Sequence, residues 1–175
     1  MSTSVLSEKS IKSLQAFNDA CDNLTEMWTE KATEIKSIFK SRASESKALK
    51  MLDKGNDGSW IVYLDYNSKG DLLWPPREAL SDKFCQEFGY HRNELNPNSF
   101  EAWREIAVQE QLPAVDQAFS DALKMVGEFK LVVNYKHKNG STIKILCRGE
   151  IINDDNGRAC MMYGTHTNLT KLGID

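Results

Sequence analysis

The chain has 175 residues, 41% hydrophobic and 27% charged, which is ample for a packed core and excludes global disorder and low-complexity assemblies. Its longest apolar run, Trp60 to Leu64, falls far short of the roughly 20 residues a membrane helix needs, and the start, MSTSVLSEKS, lacks a secretory pattern. Twenty-two basic against 25 acidic residues give a net charge of -3, so the expectation is a cytoplasmic protein that engages neither nucleic acid nor membrane.

All ten glycines and all four prolines lie after position 54, which marks residues 1–54 as a separate helical segment. Within it Leu14, Phe17, Cys21, Leu24, Trp28, Ile35, Ile38, Leu49 and Leu52 fall on the a and d positions of one seven-residue repeat. A continuous helix from Lys9 to Leu52 would be about 65 Å long, so most of its stripe needs a partner. Residues Leu14 to Ile38 of that stripe are therefore the candidate interface of a coiled-coil homodimer. Two helices folded back as a hairpin at Ser41–Ser46 are the alternative.

From Gly55 the texture becomes β-like. WIVYLDY, the turn NSKGD and LLW predict a hairpin over Trp60–Trp74. Pro75 and Pro76 end it and admit a helix from Arg77 through Phe88, closed by Gly89. Asn98 or Ser99 caps a short helical piece carrying Phe100 and Trp103, and Pro113 opens a longer helix, Ala114–Val126, with Val115, Phe119, Ala122, Leu123 and Val126 as its stripe. EFKLVVNYK, an Asn139-Gly140 turn and STIKILCRGEII form a hairpin, and NDDNGR leads into a last strand, ACMMYGTHTNL. Alternation puts Phe129, Leu131, Val133 and Tyr135, then Ile143, Ile145 and Cys147, then Cys160 and Met162 on one sheet face. Val132, Leu146, Met161 and Tyr163 make the other face partly apolar, and the N-terminal helix is the candidate cover.

The order of elements and the segments GSWIVYLDYNSKGDLLW, FCQEFGYHRNEL, SFEAWREIAVQEQLPAVDQAF and KHKNGSTIKILCRGEIINDDNGRACMMYGTHTNLT resemble a PAS domain of the common bacterial sensory group, over about Asp57 to Thr170. The resemblance implies an α+β PAS fold: a five-stranded antiparallel sheet with short helices on one face, preceded here by the long helical extension. It implies a PAS domain over 55–170 and a tail over 171–175. The family's terminal Asp-Ile-Thr is Asn168-Leu169-Thr170, which removes a carboxylate that commonly ties the core to an output linker.

No GxSxG elbow, HExxH, P-loop or GxGxxG occurs, so catalysis is not expected. The four cysteines have no metal spacing and read as inert packing groups, although Cys147 and Cys160 could meet if their strands pair. No metal site is expected. His91 and His137 sit in turns, and His166 lies on the last strand. The resemblance disfavours haem, because the Ala114–Val126 helix offers no axial histidine, and disfavours adduct-forming flavin, because the cysteine motif is absent; any cofactor is unknown. The candidate ligand cavity is bounded by Phe84, Phe88, Trp103, Leu123, Val133, Tyr135, Ile145, Cys147 and Met162. A sensory module that binds a small molecule, dimerises through its helix and hands a signal to a downstream protein or domain is the expected function. A ligand-free interaction or dimerisation adaptor with a filled core is the alternative. A small cone-shaped enzyme of similar build would need a carboxylate or histidine in the cavity with a shifted pKa, and alternation assigns none there.

Overall fold

In the computed structural model the described residues are 45–96, 99–125 and 128–174, and they belong to one compact unit that begins at Ser44. The candidate interface Leu14, Phe17, Cys21, Leu24, Trp28, Ile35 and Ile38 lies outside the described residues, as do Asn98 and Val126. The elements are α1 (Glu45–Leu52), β1 (Gly58–Tyr63), β2 (Arg77–Leu80), α2 (Asp82–Glu87), α3 (Glu101–Ile106), α4 (Leu112–Met125), β3 (Glu128–Lys136), β4 (Thr142–Asn153) and β5 (Ala159–Asn168). The five strands form one antiparallel sheet in the order β2-β1-β5-β4-β3.

The β-meander follows the expected alternation. Asn139-Gly140 closes β3 onto β4 with Gly140 at φ 90, the left-handed backbone that glycine adopts without a Cβ penalty. Cross-strand partners then place Phe129, Val133, Tyr135, Ile145, Cys147, Met162 and His166 on the inner face, toward α2, α3 and α4. Cys147 pairs with His166, while Cys160 sits at the opposite end of β5 and donates to Ile152 O, so the two thiols do not meet.

The expected hairpin partner of β1 is not LLW. Tyr66 and Leu72 make a single bridge around the NSKGD turn, where Asn67 Oδ1 accepts from the backbone N–H groups of Lys69 and Asp71. Pro75 and Pro76 have no N–H for a ladder, and pairing resumes only at Arg77, where REAL lies antiparallel to β1 with Trp60 opposite Leu80 and Val62 opposite Glu78. The helix expected over Arg77–Phe88 is thus a strand followed by a short helix. Ser81 makes the break, its Oγ accepting from Phe84 N at 3.1 Å as the N-cap.

β1 is buried on both faces. On its outer face α1 packs Ala48, Leu49 and Leu52, the last two being the final positions of the seven-residue stripe. Ser59 Oγ donates to Leu49 O at 3.1 Å and to Asp53 Oδ1 at 2.8 Å, and Tyr63 OH donates to Glu45 Oε2 at 2.8 Å beside Arg77. The sheet needs this cover to bury Ile61 and Tyr163, so the fold begins before the glycine-marked boundary at residue 54. Val132, on the edge strand β3, stays exposed. At the other end the tail is tied in: Lys171 bonds Glu87 and Asp57, and Asn168 donates from Nδ2 to Glu87 and accepts at Oδ1 from Lys171 N. Among the described residues no helix is long and apolar enough to cross a membrane.

Candidate functional site

Between the inner face and the helices lies a cavity of about 50 Å³, room for a few water molecules or a ligand of a handful of atoms. β1 supplies Trp60 and Val62, β2 Glu78 and Leu80, α2 Phe84, β3 Phe129, Val133 and Tyr135, β4 Cys147, and β5 His166; Phe100, Trp103, Val115, Asp116 and Phe119 close the helical side. Asp116 is exposed and Phe119 half-buried, so the cavity reaches the surface along α4.

Of the nine expected residues, Phe84, Trp103, Val133, Tyr135 and Cys147 line the space. Phe88, Leu123, Ile145 and Met162 do not. Phe88 stacks behind Phe84 and Tyr135, each with ring centroids 4.9 Å away, Ile145 and Met162 are fully buried packing, and Leu123 is only partly buried against the core. These four have the chemistry of the lining residues, and only the local gap in packing separates the two groups.

The cavity also holds a carboxyl and an imidazole that alternation did not assign, beside the expected Tyr135 and Cys147. Glu78 is 3% exposed, and its Oε2 has no hydrogen-bond partner. Burial, with the negative charge of Glu101 as a smaller contribution, raises its pKa well above the usual carboxylate range, so the carboxyl is held toward its protonated form. His166 is likewise 3% exposed, its Nδ1 is unpartnered, and burial pushes its pKa down to about 3, which keeps the imidazole neutral. Burial raises the phenol of Tyr135 well above its ordinary value, with Cys147 and Glu78 adding to the shift. Burial also pushes the Cys147 thiol up, partly offset by the Trp60 indole N–H, so this cysteine is a poor nucleophile.

Two signals could have found these groups. His166 shares the parity of Met162 on β5, and Glu78 alternates with Ala79 once REAL is read as a strand. His91 is exposed and His137 half-buried in its turn. Asp116 is engaged at the mouth, where Arg104 holds it bidentately at 2.6 and 3.1 Å and lies over the Trp103 ring at 5.2 Å. Among the described residues no three His, Cys, Asp or Glu side chains converge as a metal site. The arrangement is an apolar box with a few buried polar atoms facing in.

A family model described as PAS fold matches residues 77–166. No curated protein matches the chain. Among solved structures, a sensory box histidine kinase/response regulator from Burkholderia thailandensis E264 is similar at TM-score 0.52 and 19% identity, covering 71% of this chain and 86% of that one. The PAS domain of a Colwellia psychrerythraea protein is similar at TM-score 0.50 and 16% identity, covering 77% and 98%. An RNA-binding light-oxygen-voltage receptor reaches 0.53 at 10% identity, covering 66% of this chain and 30% of its own.

Proposed function

The chain belongs to the PAS-fold family, and on that premise we propose that it is a non-catalytic, cytoplasmic sensory module whose cavity binds a small molecule and biases a helix-mediated homodimer. The observation that carries this reading is the cavity itself, with Glu78 and His166 buried and lacking partners at Oε2 and Nδ1. Leaving buried polar atoms unsatisfied costs about 1–3 kcal/mol each, a cost that a bound ligand removes.

A route from cavity to helix runs through one strand. Trp60 and Val62 of β1 face the cavity, while Ser59 and Tyr63 of the same strand bond to Leu49, Asp53 and Glu45 around α1. A ligand alters signalling only through unequal affinity for two arrangements of this contact, and a few kcal/mol of difference is enough. The seven-residue stripe that ends in α1 supports a second copy of the chain as the partner, with a separate downstream protein or domain receiving the signal.

Native mass spectrometry of freshly purified full chain tests the ligand: a small molecule bound to a dimer is the expected result. Replacing Leu24 and Ile35 by aspartate converts that dimer into monomers in sedimentation, and a dimer surviving both changes removes the stripe as the interface. The ligand-free adaptor is favoured by one observation, the small volume of the cavity among tightly packed rings. A colourless dimer carrying only its chain mass, and unchanged in association by small-molecule probes, would establish it.

A further inference from the structure

We propose that the cavity is built for a small organic ammonium ion, held by the Glu78 carboxyl inside a box of aromatic rings. The proposal rests on the ligand-binding reading above and adds the charge class of the ligand. Both unpartnered atoms, Glu78 Oε2 and His166 Nδ1, can accept a hydrogen bond, and an ammonium group is a compact set of donors with no acceptor. The Tyr135 phenol on the same wall can accept as well. Set against these acceptors is one donor without a partner, the indole N–H of Trp60. Two unpartnered acceptors thus face one unpartnered donor.

Charge points the same way. Among the described residues that line the cavity there is no lysine or arginine, so Glu78 has no counter-charge within it. Asp116 does not compete for a cation deep in the site, since it lies at the mouth and its carboxylate is taken by Arg104. The remaining walls are rings: Phe84, Phe100, Trp103, Phe119 and Phe129 surround the space, and an aromatic face attracts a desolvated cation. An anion would meet Glu78 unfavourably. A neutral ligand would satisfy the polar atoms but would leave the ring faces unused.

The protonation balance gives a signature. In the empty cavity burial and Glu101 oppose ionisation of Glu78 and favour its protonated form, and the facing groups His166, Tyr135 and Cys147 are neutral. When an ammonium ion enters with its own protons, the Glu78 O–H bond breaks and that proton goes to solvent, leaving a carboxylate–ammonium pair. Binding therefore releases the proton that Glu78 holds in the empty cavity.

Titration calorimetry of the full chain near neutral pH, in phosphate and in Tris, with ethylammonium, ethanol and acetamide as probes, tests this. Ethylammonium is expected to bind in about the millimolar range, the limit for so few atoms, and more tightly than its neutral isostere ethanol. Its heat should differ between the buffers by the ionisation heat of one proton. Glu78→Gln should weaken ethylammonium by about tenfold to a hundredfold, far more than it weakens ethanol, and abolish the proton release. If the variant does not fold, the buffer dependence of the wild-type chain still decides. Ethylammonium binding no tighter than ethanol or acetamide, or without proton release, overturns the charge class. Failure of all three probes while native mass spectrometry still finds a co-purified molecule also overturns only the charge class; failure of both overturns the sensory reading too.

Discussion

On the face of the sheet covered by α1, buried polar side chains are partnered: Ser59 with Leu49 and Asp53, Tyr63 with Glu45, and Tyr163 with Glu150 at 2.8 Å. On the face turned toward α2, α3 and α4, Glu78 Oε2, His166 Nδ1 and Trp60 Nε1 have no such partners. Among the described residues two further atoms are of that kind, Arg148 Nε on the outer face and Asn153 Oδ1 at the end of β4. Solvent is excluded equally from the two faces of β1, so burial alone does not produce the difference. The outer face closes its hydrogen bonds within the chain, as a structural interface does, and the inner face leaves them open toward a space.

The inner face depends on two glycines, and filling one of them is the strongest way to break the contrast. Gly149 and Gly164 are opposite each other in the β4–β5 ladder, with the Trp60 indole lying over both. A Cβ at Gly164 would come within 2.1 Å of Trp60 Cζ2 and 2.2 Å of Arg148 O, and the second of these is backbone that cannot swing away. Gly164→Ala is expected to cost about 3 kcal/mol or more in urea unfolding, through displacement of Trp60 from the cavity wall. An unchanged midpoint would show that the indole is not fixed where it lines the site.

A second effect separates the faces by pH. His166 titrates at 6.5 in the unfolded chain and at about 3 in the fold, so the unfolded state gains a proton that the folded state refuses. Stability from this group is complete above 6.5 and is lost as pH falls toward 3, with a slope of up to about 1.4 kcal/mol per pH unit. His166→Phe should flatten that slope whatever it does to the absolute stability. Equal slopes in the two proteins between pH 6 and pH 4 would remove His166 from the buried inner face.

The inner face was partly legible in the sequence because alternation is local. Phe129, Val133, Tyr135, Cys147 and Met162 could be assigned from their own strands, and each strand is long enough to show a period of two. Arg77–Leu80 was not legible. Glu, Ala and Leu are strong helix formers, four residues carry no period, and the run becomes a strand only by pairing with β1 across the Asn67 turn. That misplacement hid Glu78. His166 was within reach by parity with Met162. The division of Phe84 from Phe88, or of Cys147 from Ile145, was beyond sequence because cavity and core use the same side chains and differ only in how completely the space between them is filled.

The sharpest comparison uses two conservative changes, one on each face of the β1–β2 ladder. Ser59→Ala removes the donor shared by Leu49 O and Asp53, where burial already raises the carboxyl, and should cost about 1–2 kcal/mol. Glu78→Gln keeps the shape and breaks no hydrogen bond to Oε2, so at pH 4.5 its effect should be the smallest of all, under about 1 kcal/mol. The sign above that pH follows from the raised pKa. The folded state holds the Glu78 proton more tightly than the unfolded state, so the wild-type stability from this group is full below 4.5 and is lost as pH climbs through the elevated value, whereas glutamine has nothing to lose. Unfolding curves at successive pH values should therefore show the variant gaining on the wild type toward neutrality. A variant that falls behind as pH rises would mean that the Glu78 carboxylate is stabilised inside the empty protein, and the inner face would then be as closed as the outer one.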